Sequence, residues 1–507
     1  MTAPRHFVTT TLPYVNSAPH LGFALELVQA DTLARHWRRR GSDVRLLGGT
    51  DDNSLKNVLA AEAEGLQVRE LVDRNADAFA ALRGPLDLSL DDFVRTGSDP
   101  RHRAGVEALW RRCAAAGDLY RQRYEGLYCV GCEQFYSPDE LIGGRCAEHG
   151  TEPRPVAEEN WFFRLSRHAG RLRELIADGR LRIEPAARRN EVLALIDGGL
   201  RDFSVSRSQD RARGWGIPVP GDPGQVIYVW WDALAAYVTS LGYGTDGAAF
   251  ERWWAGDGRR VHLAGKGVVR FHAVYWPAIL LSAGLPLPTD VLVHDYLTVD
   301  GRKISKSGPA TVDPVALVGA VGADAVRWWL LRDVPRVGDA DFGVERLTAR
   351  ADRDFAGGLG NLVHRVVTVV HRYRAGAVPA PSGAEPAAAP LRAVCRTAPE
   401  RIDAALEDHD FRRAIAAAWR IVEAADRCVE TTRPWELARA EGRGDLAAGA
   451  RLDDVLAALV HACRLLAEEL APFVPGAVAR ISAQLRTTGN GTLPAPVPLF
   501  PRLREGR

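Results

Sequence analysis

The sequence predicts an α/β protein in which a doubly wound parallel sheet is interrupted by an insertion and followed by an all-helical domain. Short β-rich runs alternate with amphipathic stretches from Phe7 to about residue 115, and the alternation resumes after residue 225. This pattern is typical of βαβ units and a parallel sheet. The cysteine-containing segment between the two stretches is predicted to be the insertion. From about residue 345 the periodicity is helical throughout.

The predicted elements follow in chain order. HFVTTTLPYV and DVRLLGGTD are strands separated by the helix LELVQADTLARHWRRR, and QVIYVWW, VHLAGKG and VLVHDYLTV are later strands of the same sheet. ALVHACRLLAEELAPFVP is an amphipathic helix near the end, and the Pro/Ala-rich residues 375–391 form a loop between two helices. We therefore divide the chain into four segments: 1–115, the first half of a Rossmann-like catalytic domain; 116–225, a connective insertion; 226–345, the second catalytic half; and 346–507, a helical domain.

Composition limits the class of protein. A chain of 507 residues with 46% hydrophobic residues is long enough for about three domains. The formal charge of +1 argues against nucleic-acid binding through overall basicity, although a local basic face is compatible with it. Because we find no signal peptide and no apolar stretch of about 18 residues, we expect a cytoplasmic protein without membrane contact. A monomer is the expected state, since the chain stops soon after the helical domain.

The most specific motif is a predicted zinc site in the insertion. Cys129 and Cys132 form a Cys-x-x-Cys turn, and Cys146 and His149 form a Cys-x-x-His turn further along. Two such turns can supply four ligands to one tetrahedral zinc, and a site without an open position is structural. The alternative is a coincidence of cysteines in a loop.

Lysine is rare in this chain: only four of the 65 Lys and Arg residues are lysine, at positions 56, 266, 303 and 306. Lysine presents a compact ammonium, whereas arginine presents a planar fork, so a site built around a point charge on a phosphate oxygen retains lysine. Two of the four lie in KISKS, residues 303–307, which predicts a phosphate-binding loop. The alternative is chance survival under a coding bias toward arginine.

A second phosphate-binding candidate is the turn APHLGF, residues 18–23, directly after the first predicted strand. A small-residue turn that opens a helix points backbone N–H groups at an anion, and His20 adds a donor. The motif is short, and a His-x-Gly turn is more often an ordinary loop.

Together, the His-x-Gly turn and the Lys-x-Ser-Lys-Ser loop resemble the motifs of class I aminoacyl-tRNA synthetases, which carry them on a doubly wound nucleotide-binding fold. More specifically, the chain resembles the methionyl-tRNA synthetase family from about Phe7 to the closing LPAPVPLFPRL. The segments that carry the resemblance are YCVGCEQFY, GGLRDFSVSR, GIPVPGDPG, IYVWWDAL and RFHAVYWPAILLSAGLPLP.

The resemblance implies sets of site residues. The implied catalytic residues are His20, Lys303 and Lys306. The implied ATP-binding residues are His20, Gly22, Phe23, Gly265, Lys266, Lys303, Ser305 and Lys306. The implied methionine-binding residues are Leu12, Tyr14, Asp51, Trp230, Ala233, Tyr237, His272 and Trp276, with Asp51 holding the substrate ammonium. The implied anticodon-binding residues are Asn361, Arg365 and Trp435.

The resemblance also implies methionine, ATP with Mg²⁺, and tRNA-Met as substrates and partners. An aromatic pocket suits a flexible thioether, and a buried carboxylate suits a cation. Amide, guanidinium and indole groups can read anticodon bases. Purely structural roles are compatible with the same residues. The aromatics can be ordinary core, Asn361 and Arg365 a solvated helix face, and Trp435 a helix start after Pro434.

Four departures from the family pattern are expected to surround the nucleotide. Phe23 replaces the second histidine of His-x-Gly-His, and the loss of one such donor typically costs about 10²–10³ in rate. Gly267 replaces the aspartate that holds the ATP ribose. Asn53-Ser54 replaces a His-Gly pair, and Gly308-Pro309-Ala310 replaces Leu-Gly-Asn after the lysine loop.

Three functions are compatible with this pattern. The first is a methionine–tRNA ligase with an altered ATP site. The second is a paralogue that adenylates an amino acid and transfers it to a small-molecule nucleophile, and the third is an inactive tRNA-binding protein. Retention of the lysines disfavours the third, the anticodon residues favour the first, and Phe23 favours the second.

Overall fold

The computed structural model describes residues 3–131, 133–147, 150–304, 311–383 and 385–503. The chain forms two compact units. The first consists of Met1–Gly84, Leu88–Tyr296 and Ile304–Asp313, and the second of Pro85–Asp87, Leu297–Lys303 and Pro314–Arg507. The division into four segments is finer than this and stays a prediction.

The first unit contains parallel and antiparallel sheets with helices around them. Its strands are β1 (Arg5–Thr9), β2 (Asp43–Thr50), β3 (Asp92–Arg95), β4 (Leu119–Cys129), β5 (Gln134–Tyr136), β6 (Arg154–Phe163), β7 (Arg182–Glu184), β8 (Phe203–Ser204), β9 (Ser206–Ser208), β10 (Pro218–Val219), β11 (Asp222–Ile227), β12 (Arg259–Gly265) and β13 (Asp290–His294). Its helices are α1 (Leu21–Arg39), α2 (Leu55–Glu64), α3 (Val68–Ala80), α4 (Pro100–Ala115), α5 (Ala169–Ala177), α6 (Ala186–Asp197), α7 (Gln209–Ala212), α8 (Val229–Thr239), α9 (Ala248–Phe250) and α10 (Trp276–Ala283).

The central feature of this unit is a six-stranded parallel sheet in the order β3-β2-β1-β12-β13-β7. Strands β1, β2 and β13 are buried along most of their length, as expected for a sheet covered by helices on both faces. Strand β1 has β2 on one side and β12 on the other. In such sheets, ligands bind outside the carboxyl ends of the strands where the strand order reverses. The predicted doubly wound sheet is confirmed.

The sixth strand comes from an unexpected part of the chain. Strand β7 lies within residues 116–225, the segment predicted as an insertion, yet it pairs in parallel with β13 from Arg182 to Glu184. Another part of that segment forms the antiparallel sheet β5-β4-β6-β8, in which β4 and β6 pair along their length. The segment therefore both extends the central sheet and carries a sheet of its own.

The second unit is mainly helical. Its strands are β14 (Leu297–Val299), β15 (Arg302–Lys303) and β16 (Ala340–Asp341), and its helices are α11 (Pro314–Val321), α12 (Ala323–Arg332), α13 (Val344–Ala351), α14 (Gly360–Arg374), α15 (Ala389–Glu407), α16 (Phe411–Thr432), α17 (Pro434–Glu441), α18 (Leu446–Leu470) and α19 (Pro475–Leu485). The start of α13 at Val344 agrees with the predicted change to helical periodicity near residue 345. Within the ranges that the structure describes, no single helix is long and apolar enough to cross a membrane, and only the bent pair α11 and α12 meets that criterion, by length and composition alone.

The Pro/Ala-rich loop lies where it was predicted, between α14 and α15. Its backbone is held by the buried carboxylate of Asp454 on α18, which accepts hydrogen bonds from the N–H groups of Ser382 at 3.1 Å, Gly383 at 2.8 Å and Glu385 at 3.1 Å. Arg392 pairs with the same carboxylate at 2.8 Å. Several charge-assisted bonds to one carboxylate keep this loop, whose only regular element among the described residues is the 3₁₀ turn Pro386–Ala388, attached to the helices.

Candidate active site

The candidate site lies at the carboxyl ends of β1, β2 and β12 in the first unit. The chain beyond β1 runs beside the chain beyond β2, since Tyr14 and Asp51 form a parallel bridge and the N–H of Asp51 donates to the carbonyl of Pro13 at 2.9 Å. These contacts bring two segments predicted for the amino-acid pocket together at the place where the strand order reverses.

Asp51 is the central carboxyl group of this region. It is fully buried, and its Oδ1 accepts from the N–H of Asn53 at 3.2 Å. Its Oδ2 has no hydrogen-bond partner among the described residues. Burial raises the pKa of Asp51, and the neighbouring carboxylates of Asp232 and Glu133 raise it further. A buried carboxylate with one unpaired oxygen is a site that a cationic group would stabilise.

The aromatic part of the pocket is built around Tyr237, His272 and Trp276, all of which are buried. His272 Nδ1 lies 3.0 Å from the carbonyl of Val268, so Nδ1 carries the proton, and Nε2 accepts the Tyr237 hydroxyl at 2.8 Å. Burial lowers the pKa of His272, which keeps the imidazole neutral. The pocket wall is thus polar in part but uncharged at these residues.

The local backbone explains how His272 and Trp276 reach the pocket. Residues Phe271–Tyr275 form a widened π-helical turn before α10. Pro277, at the start of α10, cannot donate the usual helical hydrogen bond, and its ring would clash with the preceding turn. A widened turn of this kind accommodates the proline and is frequent at functional sites.

The remaining predicted pocket residues surround this group. Trp230 stacks on Phe271, with ring centroids 3.7 Å apart, and lies 6.0 Å from the Tyr14 ring. Leu12 belongs to the same hydrophobic cluster as Tyr237 and Trp276. Ala233 lies four residues before Tyr237 on α8, on the same face of the helix. Phe271 was missed by the sequence prediction, although it directly precedes His272.

His20 starts α1 and has a defined tautomer. Its Nδ1 accepts the N–H of Gly22 at 3.1 Å, so in the neutral ring Nε2 carries the proton. A Cβ at position 22 would lie 2.9 Å from His20 Cε1, which explains why glycine is required there. The ring centroid of Phe23 lies 4.5 Å from that of His20 and 5.3 Å from that of Phe79. Phe23 therefore connects His20 to an apolar cluster.

The Gly-Lys-Gly block follows β12. Gly265 ends the strand, and Lys266 begins a short 3₁₀ turn with Gly267 exposed beside it. The Lys266 ammonium lies 4.6 Å from the centroid of the Tyr296 ring and 4.0 Å from Asp295 Oδ1. These contacts hold the ammonium near the carboxyl ends of β12 and β13.

The lysine loop is described only at its start. Lys303 is exposed at the end of β15 in the second unit, where it pairs with Thr298 of β14. Ser305, Lys306 and the departure at Gly308-Pro309-Ala310 lie outside the described residues. Their predicted roles stay predictions. The fourth lysine, Lys56, places its ammonium 5.1 Å from the centroid of the Tyr14 ring.

Asn53 and Ser54 were expected to surround the nucleotide, but their side chains contact buried carboxylates next to Asp51. Asn53 Nδ2 donates to Asp232 Oδ2 at 2.7 Å, and Ser54 Oγ donates to Glu133 Oε1 at 2.5 Å. The sequence prediction missed Asp232 and Glu133. Their partners lie far away in the chain, so no local motif marks them.

The predicted zinc ligands are described in part. Cys129 and Cys146 are both buried, and both lie next to Thr151: Cys129 Sγ is 3.7 Å from Thr151 Oγ1, and the N–H of Cys146 donates to the Thr151 carbonyl at 2.9 Å. Cys132 and His149 lie outside the described residues. The structure therefore brings one cysteine of each predicted turn to the same place.

The predicted anticodon residues lie in the second unit. Asn361 is exposed on α14, and Arg365 lies one turn further along the same helix, 3.4 Å from Asp426 Oδ1. Trp435 is the second residue of α17, directly after Pro434, and 38% of its surface is exposed. A partly exposed indole on a helix is available for stacking.

Comparisons with known proteins agree with this geometry. The protein-family model described as tRNA synthetases class I (M) matches residues 6–149 and 132–367. A methionine–tRNA ligase of Mycobacterium bovis is 38% identical over 513 residues, which cover 98% of each chain. A methionine–tRNA ligase of Caldanaerobacter subterraneus subsp. tengcongensis is 38% identical over 487 residues, which cover 96% of this chain and 74% of its own.

Solved structures give the same result. Mycobacterium tuberculosis methionyl-tRNA synthetase in complex with methionyl-adenylate has a TM-score of 0.92 and 37% identity, covering 99% of this chain and 100% of its own. The parallel sheet with its His-x-Gly turn at the point of strand reversal defines a class I aminoacyl-tRNA synthetase. Within that class, the chain belongs to the methionyl-tRNA synthetase family.

Proposed function

We propose that this protein activates methionine with ATP to form methionyl-adenylate and pyrophosphate, and then transfers the methionyl group to tRNA-Met. The observation that carries the proposal is the unpartnered Oδ2 of Asp51 in a buried pocket lined by aromatic side chains. The α-ammonium of an amino acid supplies the missing cation, and the aromatic walls accept an apolar side chain.

The charge pattern around Asp51 supports this assignment. Asp52 pairs with Arg95 at 3.1 Å, Glu133 pairs with Arg207 at 2.7 Å, and Asp232 pairs with His102. Each of these three buried carboxylates already has a basic partner within the protein. Among these four neighbours, as far as the structure describes them, only Asp51 has a carboxylate oxygen without a hydrogen-bond partner. A ligand cation is therefore expected at Asp51 and not at the others.

The side-chain pocket supports a thioether substrate. Tyr237, His272 and Trp276 form an uncharged wall, and Trp230 and Tyr14 lie beside it. A thioether is polarisable and makes favourable contacts with aromatic rings. A charged side chain would lose its hydration in this pocket without gaining a partner.

In the proposed reaction, a carboxylate oxygen of methionine attacks the α-phosphorus of ATP, and pyrophosphate leaves. His20 Nε2–H, Lys266 and Lys303, together with Lys306, stabilise the charge on the phosphate oxygens, so catalysis consists mainly of positioning and electrostatics. Mg²⁺ accompanies the triphosphate as part of the substrate. In the second step, a ribose hydroxyl at the 3′ end of tRNA attacks the acyl carbon, and AMP leaves.

Full-length similarity to methionine–tRNA ligases, including the helical unit, favours tRNA as the acceptor over a small molecule. The direct test is ATP–pyrophosphate exchange against the twenty amino acids, followed by charging of initiator and elongator tRNA-Met transcripts. We expect exchange with methionine and charging of both transcripts. Exchange without charging would indicate the small-molecule paralogue, and exchange with no amino acid would exclude both enzymatic functions.

The anticodon assignment predicts a selective loss in Trp435→Ala. Removing a base-stacking indole is expected to lower kcat/KM for tRNA-Met charging by about 5- to 100-fold, since stacking on an aromatic side chain is worth about 1–3 kcal/mol per base. Methionine-dependent pyrophosphate exchange should not change. Trp435→Phe keeps an aromatic face and serves as the control. If Trp435→Ala charges tRNA-Met as efficiently as the wild type does, the assignment is contradicted.

The zinc site stays part of the proposal. Cys129, Cys132, Cys146 and His149 would hold one structural zinc, and the contacts of Cys129 and Cys146 with the same residue, Thr151, fit this ligand set. Metal analysis should find about one zinc per chain, and Cys146→Ser should release it and destabilise the β4–β6 sheet. Cys113→Ser is the control, because this buried cysteine lies outside the ligand set. Freshly purified protein without zinc would contradict the assignment.

Two further expectations stay predictions. A monomer would be tested by light scattering of the purified protein, and a cytoplasmic location by cell fractionation.

A further inference from the structure

A continuous hydrogen-bond network of buried and half-buried polar groups leads away from the candidate ammonium site. Asn53 donates its backbone N–H to Asp51 Oδ1 at 3.2 Å and its Nδ2–H to Asp232 Oδ2 at 2.7 Å. The other oxygen of Asp232 is hydrogen-bonded to His102 Nε2. His102 Nδ1 then lies 2.7 Å from Thr239 Oγ1. The chain thus runs from Asp51 through Asn53, Asp232 and His102 to the end of α8.

Asp232 and His102 form the middle of this network, and all of their side-chain nitrogen and oxygen atoms are hydrogen-bonded. His102 is fully buried and Asp232 is 1% exposed. Both carboxylate oxygens of Asp232 and both ring nitrogens of His102 have partners. Since a carboxylate only accepts, His102 Nε2 must donate, which fixes the ring proton on that nitrogen. A fully satisfied network in a buried region has one arrangement and is rigid.

The network fixes the orientation of Asn53, the residue that contacts Asp51. The Asn53 amide is held by Asp232 and also donates to the carbonyl of Thr96 at 3.3 Å, so its side chain has a single orientation. The backbone N–H of the same residue points at Asp51 Oδ1. Asp51 Oδ2 is left without a partner among the described residues. Holding Asn53 in place therefore keeps its backbone N–H on Asp51 Oδ1 and leaves Oδ2 for a ligand.

We infer that Asn53 is a positioning residue for the amino-acid ammonium, and that Asp232 and His102 orient it. The inference rests on the proposed function, since it concerns the same amino-acid site. In this proposal Asn53 does not contact the substrate. It acts by holding Asp51, which binds the ammonium group. Its effect should therefore appear in binding of the ammonium group and not in the handling of ATP.

The test is Asn53→Ala in ATP–pyrophosphate exchange. We expect the KM for methionine to rise about 10-fold, which corresponds to the loss of one buried hydrogen bond at a charged group. The kcat and the KM for ATP should stay within about two-fold of the wild type. The lost interaction binds the amino acid equally in the ground state and in the transition state, so its loss appears only in the KM for methionine. His102→Gln is a second variant, and we expect a smaller rise in the same KM.

Rescue distinguishes positioning from a merely structural role. Asn53→His retains a side-chain N–H that can reach Asp232, and we expect it to restore the methionine KM to within about three-fold of the wild type. Asn160→Ala is the control, because it removes a buried side-chain amide that also donates to a carboxylate oxygen, Glu158 Oε2, at 3.3 Å. It should leave the methionine KM unchanged.

Direct binding measurements isolate the contribution of the substrate ammonium group to affinity. Methioninol keeps the ammonium and the thioether, whereas 4-(methylthio)butanoate lacks the ammonium, and tryptophan fluorescence can follow both without ATP. Asn53→Ala should weaken methioninol about 10-fold and leave the butanoate unchanged. Equal weakening of both ligands, or an unchanged methionine KM, would overturn the inference. If the wild type activates no amino acid, the proposed function fails instead.

Discussion

Replacing Asp51 by asparagine is expected to lower kcat/KM for methionine in ATP–pyrophosphate exchange by about 10²- to 10⁴-fold, because removal of one partner of a buried charge pair costs about 3–5 kcal/mol. The loss should lie mainly in the KM for methionine, since the variant retains the shape of the pocket and loses only the charge. The KM for ATP should change little. Initial-rate measurements with either substrate varied separate the two constants.

Asp52→Asn is the matched control for this prediction. Asp52 is also fully buried and directly adjacent, but its carboxylate is occupied by Arg95 and Thr50. We expect Asp52→Asn to lower the melting temperature, with the methionine KM within about three-fold of the wild type. Equal losses of methionine affinity in the two variants would contradict a specific role for Asp51.

The pH dependence of methionine binding follows from the same site. Burial and the nearby carboxylates raise the pKa of Asp51, so in the free enzyme its carboxyl stays protonated to a higher pH than usual. The substrate ammonium requires the ionised form, and binding therefore releases a proton. The KM for methionine should fall as the pH rises toward the range where methionine loses its own ammonium proton. Asp51→Asn should remove this dependence.

Replacing Phe23 by histidine is expected to raise the rate of ATP–pyrophosphate exchange, by up to about 10²-fold, because a preorganised donor to the phosphate typically contributes about 10²–10³ in rate. An imidazole is a flat ring like the phenyl group, so it can keep the contacts that Phe23 makes with His20 and Phe79. Part of the apolar packing is lost, and we expect a stability cost of about 1 kcal/mol, measured by thermal unfolding.

Phe23→Leu separates the two contributions of this side chain. Leucine supplies neither a donor nor a ring for His20 to pack against, so exchange should fall below the wild-type rate. If Phe23→His also lowers exchange, the site is built around the phenyl ring. Phe23 would then be a positioning residue for His20, and the view of Phe23 as a lost donor would be wrong.

Features that depend on neighbours in the chain were predictable. The alternation of β-rich and amphipathic segments predicted the parallel sheet, and helical periodicity predicted the helices that follow residue 345. The second unit begins earlier, because it also contains α11 and α12. The His-x-Gly turn was predicted to open a helix, and His20 does so through a hydrogen bond to a residue two positions away. The Pro/Ala-rich loop was located in the same way. Short-range spacing is sufficient for these elements, since their geometry is set within one or two turns of chain.

The charge pairing at the site could not be predicted in this way. Asn53 and Asp232 are 179 positions apart, His102 and Asp232 are 130 apart, and Glu133 and Arg207 are 74 apart. The sequence contains many carboxylates, and nothing local indicates which of them lack a basic partner. The placement of β7 beside β13 is a similar case, because the pairing joins strands more than a hundred residues apart.

By itself, then, the sequence determined the fold class and predicted the phosphate-binding motifs and the residues of a methionine pocket, because each is encoded in periodicity, short spacing or family pattern. Only the tertiary structure decided that Asp51 is the buried carboxylate with an unpartnered oxygen among the described residues, and that the Asn53 side chain donates to Asp232. The physical reason is that burial and ion pairing depend on which distant segments meet. An unpaired buried charge exists only once the other charges have found their partners.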